Sequence, residues 1–575
     1  MGSGAAGIAV ALTAAAAGLR VLVVTKDLVG GATPLAQGGL AAALGTGDTP
    51  AAHAGDTLVA GAGLCEPAVV TALADSAPGA IGWLTELGAR LEQRDLRLEG
   101  GHSARRIVHS GSDATGAEVH RALLATLLAS GIEILDRTVA LDLALNDAGR
   151  DVVGLLAGPI GADGRLTPGV IAARAVVIAA GGLGQAFGTT SNPAGATGDG
   201  IAIAARAGAV IRDLEFVQFH PTVLWLPNAS GQCPLITEAL RGAGAVLRDA
   251  GGTPLMAGHD PRGDLAPRDV VAARMAEVIA AGDGGHVWLD ATELGRDLLE
   301  DGFPTVTAAC RKHGIDPVTA MIPVAPGAHY SCGGILADLD GRTSLSGLYA
   351  VGEAASTGVQ GANRLASNSV TEAIIAGRRA GTAIADALSR VDFATAIAHA
   401  LSRSEAPDEP VALKATKAAA FRSDVAHGHA PDDPAAQPRD RGVVRGRREL
   451  PRDVAAGRRE LAQAMSRYAG VMRDAGGLTE LLRVIGEAGG PVGSMLPTAP
   501  AEARESAGAP EGLELETVEA ANLRTVSLLI AEGALRRTES RGCHRRRDAT
   551  GTAAAPWHTL ARWDGQKLVI TEEEL

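Results

Sequence analysis

The sequence is short of lysine, of aromatic residues and of paired cysteines, and each shortage bears on function. Aromatics make up 2% of the 575 residues, too few for the stacking platforms on which single-stranded nucleic acids lie. The net charge of −13 also argues against a nucleic-acid partner. The cysteines Cys65, Cys233, Cys310, Cys332 and Cys543 are scattered, with no CxxC pair. That excludes a disulfide framework or a cysteine-bound cluster and leads us to expect a reducing compartment, the cytoplasm. No apolar run reaches membrane-spanning length uninterrupted, so no membrane partner is expected. The opening GIAVALTAAAAGLRVLVV has the apolar look of a signal peptide but lacks a basic leader. Lysine occurs at Lys26, Lys312, Lys414, Lys417 and Lys567 against a large excess of arginine. Beside so much Ala and Gly, this reads as the codon bias of a GC-rich genome.

With 46% hydrophobic residues the chain can bury several cores, and its length suggests roughly two to four domains. Residues 2–27 read as loop, Ala-rich helix and buried parallel strand, the strand over Leu19–Thr25. Ala172–Ala180 and Leu345–Val351 read as further buried strands, with helix over 116–130. This alternation predicts an α/β layered domain. Between about 216 and 329 the pattern shifts to short mixed elements with several prolines, as in an inserted second domain. Residues 402–447 are Pro/Asp/Arg-rich and aperiodic and read as linker or disorder. Helices are expected over 451–487 and 514–537. The basic run Arg541 to Arg547 reads as a solvated face.

The segment Gly347–Ser369, GLYAVGEAASTGVQGANRLASNS, carries the densest chemistry. A strand ends at Gly352-Glu353, and a glycine-rich loop bears Arg364. Ser367, Asn368 and Ser369 then open a helix with apolar positions Val370, Ala373, Ile374 and Gly377. A helix start with small polar caps leaves amide N–H groups free for an anion or an electron-rich ring. Arg364 beside it can grip a carboxylate with its planar fork.

Other candidates have two readings each. Gly2-x-Gly4-x-x-Gly7 has dinucleotide spacing and is followed by helix and strand. Only Met1 precedes it, so the strand that should feed the loop is missing, as from a late start codon or a truncation. Ala36-Gln37-Gly38-Gly39 is an ordinary glycine turn or a cofactor loop. Asp199 in Gly198-Asp199-Gly200 caps a helix or reaches a cofactor hydroxyl. Arg268 sits at a helix start, where the macrodipole disfavours it. A surface salt bridge with Asp269 is its commoner explanation, and a functional role the other. His220 in FHPT and His329 in HYSCGG are each more often structural than catalytic. Thr237-Glu238 reads as a capped helix with a surface acid. Taken together, two arginines, two histidines and Thr237 could converge on a small dicarboxylate, which needs a clamp at each end.

The segments AQGGLAAAL, EGGHSARRIVHSGSDATGAEV, EFVQFHPTVL, LITEALRGAGA, LAPRDVVAARM, AHYSCGGI and GLYAVGEAASTGVQGANRLASNS resemble, in order, the L-aspartate oxidase family. That family belongs to the fumarate reductase and succinate dehydrogenase flavoprotein superfamily. The resemblance covers residues 2–400 and resumes weakly at 451–487 and 514–548. It implies an α/β fold: a Rossmann-like FAD-binding domain over 1–215 and 330–401, its first strand missing, with an α+β capping domain inserted at 216–329. A linker over 402–450, a C-terminal helical domain over 451–548 and a tail over 549–575 would complete the chain.

By motif, the resemblance places FAD contacts at Gly4, Ala5, Gly7, Lys26, Gln37, Gly38, Gly39, Asp199, Glu353, Ser369 and Val370. It places dicarboxylate ligands at His220, Thr237, Glu238, His329 and Arg364, with Arg268 as the proton-transfer arginine. Relatives with covalent flavin carry a histidine four residues before AQGG. Ala32 stands there, implying noncovalent FAD. Glu99, before Gly-Gly-His, is either a surface acid or the partner of an α-ammonium group, where it would repel plain succinate. The implied reaction is oxidation of L-aspartate to iminoaspartate with oxygen or fumarate as acceptor, the first step of NAD biosynthesis, feeding quinolinate synthase. The alternatives are a soluble fumarate reductase or succinate dehydrogenase flavoprotein, and an inactive truncated remnant.

Overall fold

The computed structural model describes residues 1–389, 452–487 and 513–575, apart from Ser112, Asp147, Arg150, Asp283 and residues 564–566. Leu22–Val24 pairs in parallel with Glu133–Leu135, and Val176–Ile178 pairs in parallel with Leu348–Ala350. Met1 and Gly2 lie between these two pairs. The Gly2 amide donates to Val24 O at 2.8 Å and the Ala179 amide to Met1 O at 2.9 Å, while the Met1 amine donates to Val177 O at 2.9 Å. Those two residues therefore stitch two short ladders into one α/β layer. No strand is assigned before Gly2, and the helix Ala5–Ala16 follows directly.

Each strand is shorter than its apolar run, for local reasons. The Leu19 amide still caps the helix end by donating to Ala14 O, so the first strand starts only at Leu22. Within 172–180 the chain changes sheets. Gly169–Ala172 ends an antiparallel meander with Val152–Pro159 and Thr138–Leu145, and Val176–Ile178 enters the parallel layer. The helices read from periodicity form as Thr115–Ala129 and Asn368–Ser389. Ile8, Leu73, Val108 and Ile374 share one core below this layer.

Residues 217–331 build a second sheet. Val217–Leu224, buried along its whole length, runs antiparallel to Ile322–Ser331, with Val287–Asp290 and Val246–Arg248 continuing outward. Leu240, Met275 and Ile322 form this sheet's own core. Helices Arg452–Tyr468, Ala475–Glu487 and Leu515–Arg536 follow. The last of these packs Val526 and Ile530 into a core with Ile201 and Ile203. No helix among the described residues is long and apolar enough to cross a membrane. The aperiodic segment 402–447 lies outside the described residues.

Two expectations for the C-terminus are corrected. Within the stretch read as a tail, Trp557–Trp563 and Leu568–Glu574 form a hairpin that pairs with Ile211–Arg212. The basic run is not a solvated face, because Arg541 and Arg546 are buried and paired with Glu539 and Asp548. Charge alone does not show this, since the acids lie only two residues away and neutralise the run once folded. Nearby Arg537, with no exposed surface, meets Glu215 at 2.8 Å, Glu539 at 2.8 Å and Asp213 at 3.3 Å. Its guanidinium lies 4.6 Å from the Phe216 ring centre and 4.0 Å from that of Trp557. Arg537→Met removes the cation that three buried carboxylates share, although Glu539 keeps Arg541 and Asp213 keeps His558, a loss of about 3 kcal/mol. Thermal unfolding should show a midpoint roughly 2–3 °C lower, and an unchanged midpoint refutes a structural role for the cluster.

Candidate active site

A cavity of about 650 Å³ lies where the α/β layer meets the second sheet. Every candidate site residue borders it except Gly7. At Gly7 a Cβ would lie 2.1 Å from Gly2 O, so only glycine lets the first helix close onto the chain start.

The wall formed by the glycine loops suits an anionic dinucleotide. The helix Ala5–Ala16 has Gly4 as its N-cap and no acid in its first turn; the Ala5 amide donates to Thr33 Oγ1 at 3.1 Å, and the positive end borders the cavity. Asp199 is the first residue of its helix rather than the cap, which is Gly198. Its carboxylate instead meets Lys26 Nζ at 2.7 Å and accepts from Asn522 at 2.8 Å and Thr197 at 2.8 Å. Lys26 also meets Glu519 at 2.8 Å. Burial would lower the Lys26 amine, but Asp199 and Glu519 together raise it, so it stays charged. Gln37 Oε1 is buried without a hydrogen-bond partner, an acceptor suited to a ring N–H. Glu353 accepts from the Ser331 amide at 3.0 Å, and burial pushes its carboxyl up to about 7. Val370 and Ala373 face the cavity while Ile374 faces the core.

The opposite chemistry gathers around Gln218, a residue the motifs did not single out. Its Oε1 accepts from Arg268 Nη1 and from Arg364 Nη2, each at 3.2 Å, and its amide donates to Arg364 O at 2.7 Å. One uncharged side chain thus spaces two buried cations. A polar residue inside the apolar strand VQFHPTVL was the available signal. Arg364 further donates to Ser369 Oγ at 3.1 Å and lies 4.7 Å from the Tyr330 ring centre. Its Nε has no partner. Burial, with Arg268 nearby, lowers it to about 10, which leaves it charged at neutral pH.

Arg268 does not pair with Asp269, which meets Arg545 at 2.8 Å. Its Nε donates instead to Glu238 Oε2 at 2.6 Å. Glu238 is correspondingly no surface acid: it is 1% exposed. Arg241 Nη2 flanks its other oxygen at 3.0 Å as an ion pair without hydrogen-bond alignment. Burial would raise Glu238, but Arg268 and Arg241 draw it down to about 2.

The two histidines stand on adjacent strands, ring centres 5.1 Å apart. Burial and Arg268 hold both well below their usual range, so both are neutral. His220 Nδ1 accepts from the Thr222 amide at 3.2 Å, so its proton is on Nε2, which has no partner. His329 Nδ1 meets Ser191 Oγ at 2.7 Å. Thr237 is buried beside them. Glu99, 2% exposed, is likewise no surface acid. Its Oε2 accepts from Ser367 Oγ at 2.6 Å, and a Cβ at Gly38 would meet Oε1 at 2.7 Å. Burial and Glu238 raise its carboxyl, opposed by Ser367. The cavity therefore offers unpartnered donors from Arg364 and His220, and a buried carboxylate.

Residues 1–370 match the FAD binding domain family, and residues 458–575 match the fumarate reductase flavoprotein C-terminal family. The chain is 42% identical over 574 residues to the L-aspartate oxidase of Streptomyces coelicolor, covering 98% of this chain and 90% of that one. It is also 42% identical over 592 residues to the L-aspartate oxidase of Mycobacterium leprae, covering 100% and 96%. An E. coli quinol fumarate reductase structure superposes with a TM-score of 0.78 at 27% identity, covering 100% of this chain and 95% of that one.

Proposed function

The chain belongs to the L-aspartate oxidase family, and from that premise we propose that it oxidises L-aspartate to iminoaspartate with FAD. The observation that carries the reading is Glu99, a buried carboxylate bordering the same cavity as Arg364 and Arg268. A dicarboxylate alone has no use for it, whereas a dicarboxylate with an α-ammonium group does. Arg364, His220, His329 and Thr237 hold the two substrate carboxylates, and Glu99 accepts from the ammonium. Gln218 keeps the cationic clamps apart and oriented, so the substrate meets a preformed site. Arg268 serves as the proton-transfer residue, fixed by Glu238.

Gly4, Ala5, Lys26, Gln37, Gly38, Gly39, Asp199, Glu353, Ser369 and Val370 hold the FAD. When bound, FAD supplies the acceptor for the hydride leaving aspartate Cα. Binding is noncovalent, as Ala32 offers no nucleophile on the cavity wall. Oxygen or fumarate takes the electrons, and iminoaspartate passes to quinolinate synthase for NAD biosynthesis in the cytoplasm.

The test is anaerobic. L-aspartate should bleach the yellow of the FAD-loaded protein and yield oxaloacetate and ammonia as the imine hydrolyses, and succinate should not. Acid denaturation should release all the flavin. A protein that takes up no FAD, or that succinate reduces as readily, removes this reading.

A further inference from the structure

Beside the clamp lies a half-buried polar cluster, centred on Arg106, that the reaction does not use. Arg106, with no exposed surface, holds Asp48 with Nε and Nη2, both at 2.9 Å, and Asp56 with Nη1. Nη1 also faces His102 Nδ1 at 3.1 Å. A guanidinium can only donate, so Nδ1 is the acceptor and the ring proton is on Nε2. That Nε2–H donates to Ala366 O at 2.9 Å. Burial draws the imidazole down to about 4, so the single tautomer persists at neutral pH.

His102 ends the turn that begins at Glu99, its amide donating to Glu99 O at 3.3 Å. Ala366 precedes Ser367, whose hydroxyl bonds Glu99. Ser367 is a non-glycine residue at φ 59°, a conformation that persists only when its surroundings enforce it. Its neighbours do so on both sides: His102 holds Ala366 O, and His53 Nε2 lies 2.8 Å from Asn368 Oδ1. Arg364 has an anchor outside this segment, Gln218, which accepts from its Nη2 and donates to its carbonyl.

Resting on the aspartate reading above, we propose that His102 is a positioning residue for substrate selectivity: it ties the Glu99 turn to the Ala366–Ser367 segment and so fixes the ammonium acceptor against the carboxylate clamp. No atom of His102 needs to touch substrate.

The test uses two substitutions in the FAD-loaded protein. Asn at this position overlays Nδ1, keeping an acceptor for Arg106 but losing the reach to Ala366. Gln overlays Nε2 and keeps the donor to Ala366. His102→Asn should raise the aspartate KM about tenfold, as for one lost buried hydrogen bond. The inhibition constant of succinate, which has both carboxylates and no ammonium, should stay within about twofold. His102→Gln should restore the aspartate KM to within about threefold. Equal losses for aspartate and succinate, no change in either, or no rescue by Gln overturns the proposal. A wild-type protein that fails to oxidise aspartate overturns the underlying reading as well, whereas an active wild type with an unselective His102→Asn overturns the positioning role alone.

Discussion

Glu99→Gln should lower kcat/KM for L-aspartate by about a thousandfold and leave fumarate reduction within about threefold of wild type. The amide fits the same space, and its oxygen can still accept from Ser367 Oγ. What changes is the face toward the substrate: an anionic acceptor becomes a neutral group that also donates. Truncating one member of a buried charge pair costs about 4 kcal/mol, which is about three decades in rate constant. Fumarate has no ammonium group and loses nothing. Steady-state kinetics in both directions decide the matter, and matched losses would remove Glu99 as the selectivity determinant.

Arg364→Met behaves differently, and the contrast is diagnostic. The expected loss is again about three decades or more, but it falls on aspartate and fumarate alike, because both present a carboxylate to the unpartnered Nε. Arg364→Lys should recover only part of the loss, since a point charge cannot reproduce the fork that also reaches Gln218 and Ser369. An aspartate KM unchanged in Arg364→Met would mean that the carboxylate sits elsewhere in the cavity.

The motif residues are legible because each needs a local backbone device that leaves a trace. Arg364 lies in a glycine loop before a periodic helix, and Gly4 opens an alanine-rich one. Their neighbours in space are not legible, since burial and pairing are set across long separations. Glu238 looks like a helix-start surface acid until Arg268, 30 positions later, folds against it. Arg268 has a plausible local partner in Asp269, but that acid is taken by Arg545, 276 positions away. The Arg106–Asp48–Asp56 cluster has no periodicity or spacing to announce it. Strand lengths are overread because an apolar run continues through turns and sheet changes, as at 172–180.

The pair of carboxylates on Lys26 has a consequence for the order of assembly. Lys26 emerges with the first few dozen residues, Asp199 much later, and Glu519 only near the end of synthesis. Lys26, on the wall expected to hold the dinucleotide, is thus braced from behind by a residue on the last long helix, Leu515–Arg536. A nascent chain carrying every glycine loop still holds Lys26 through Asp199 alone, so the full charge balance at this lysine is a property of the finished polypeptide.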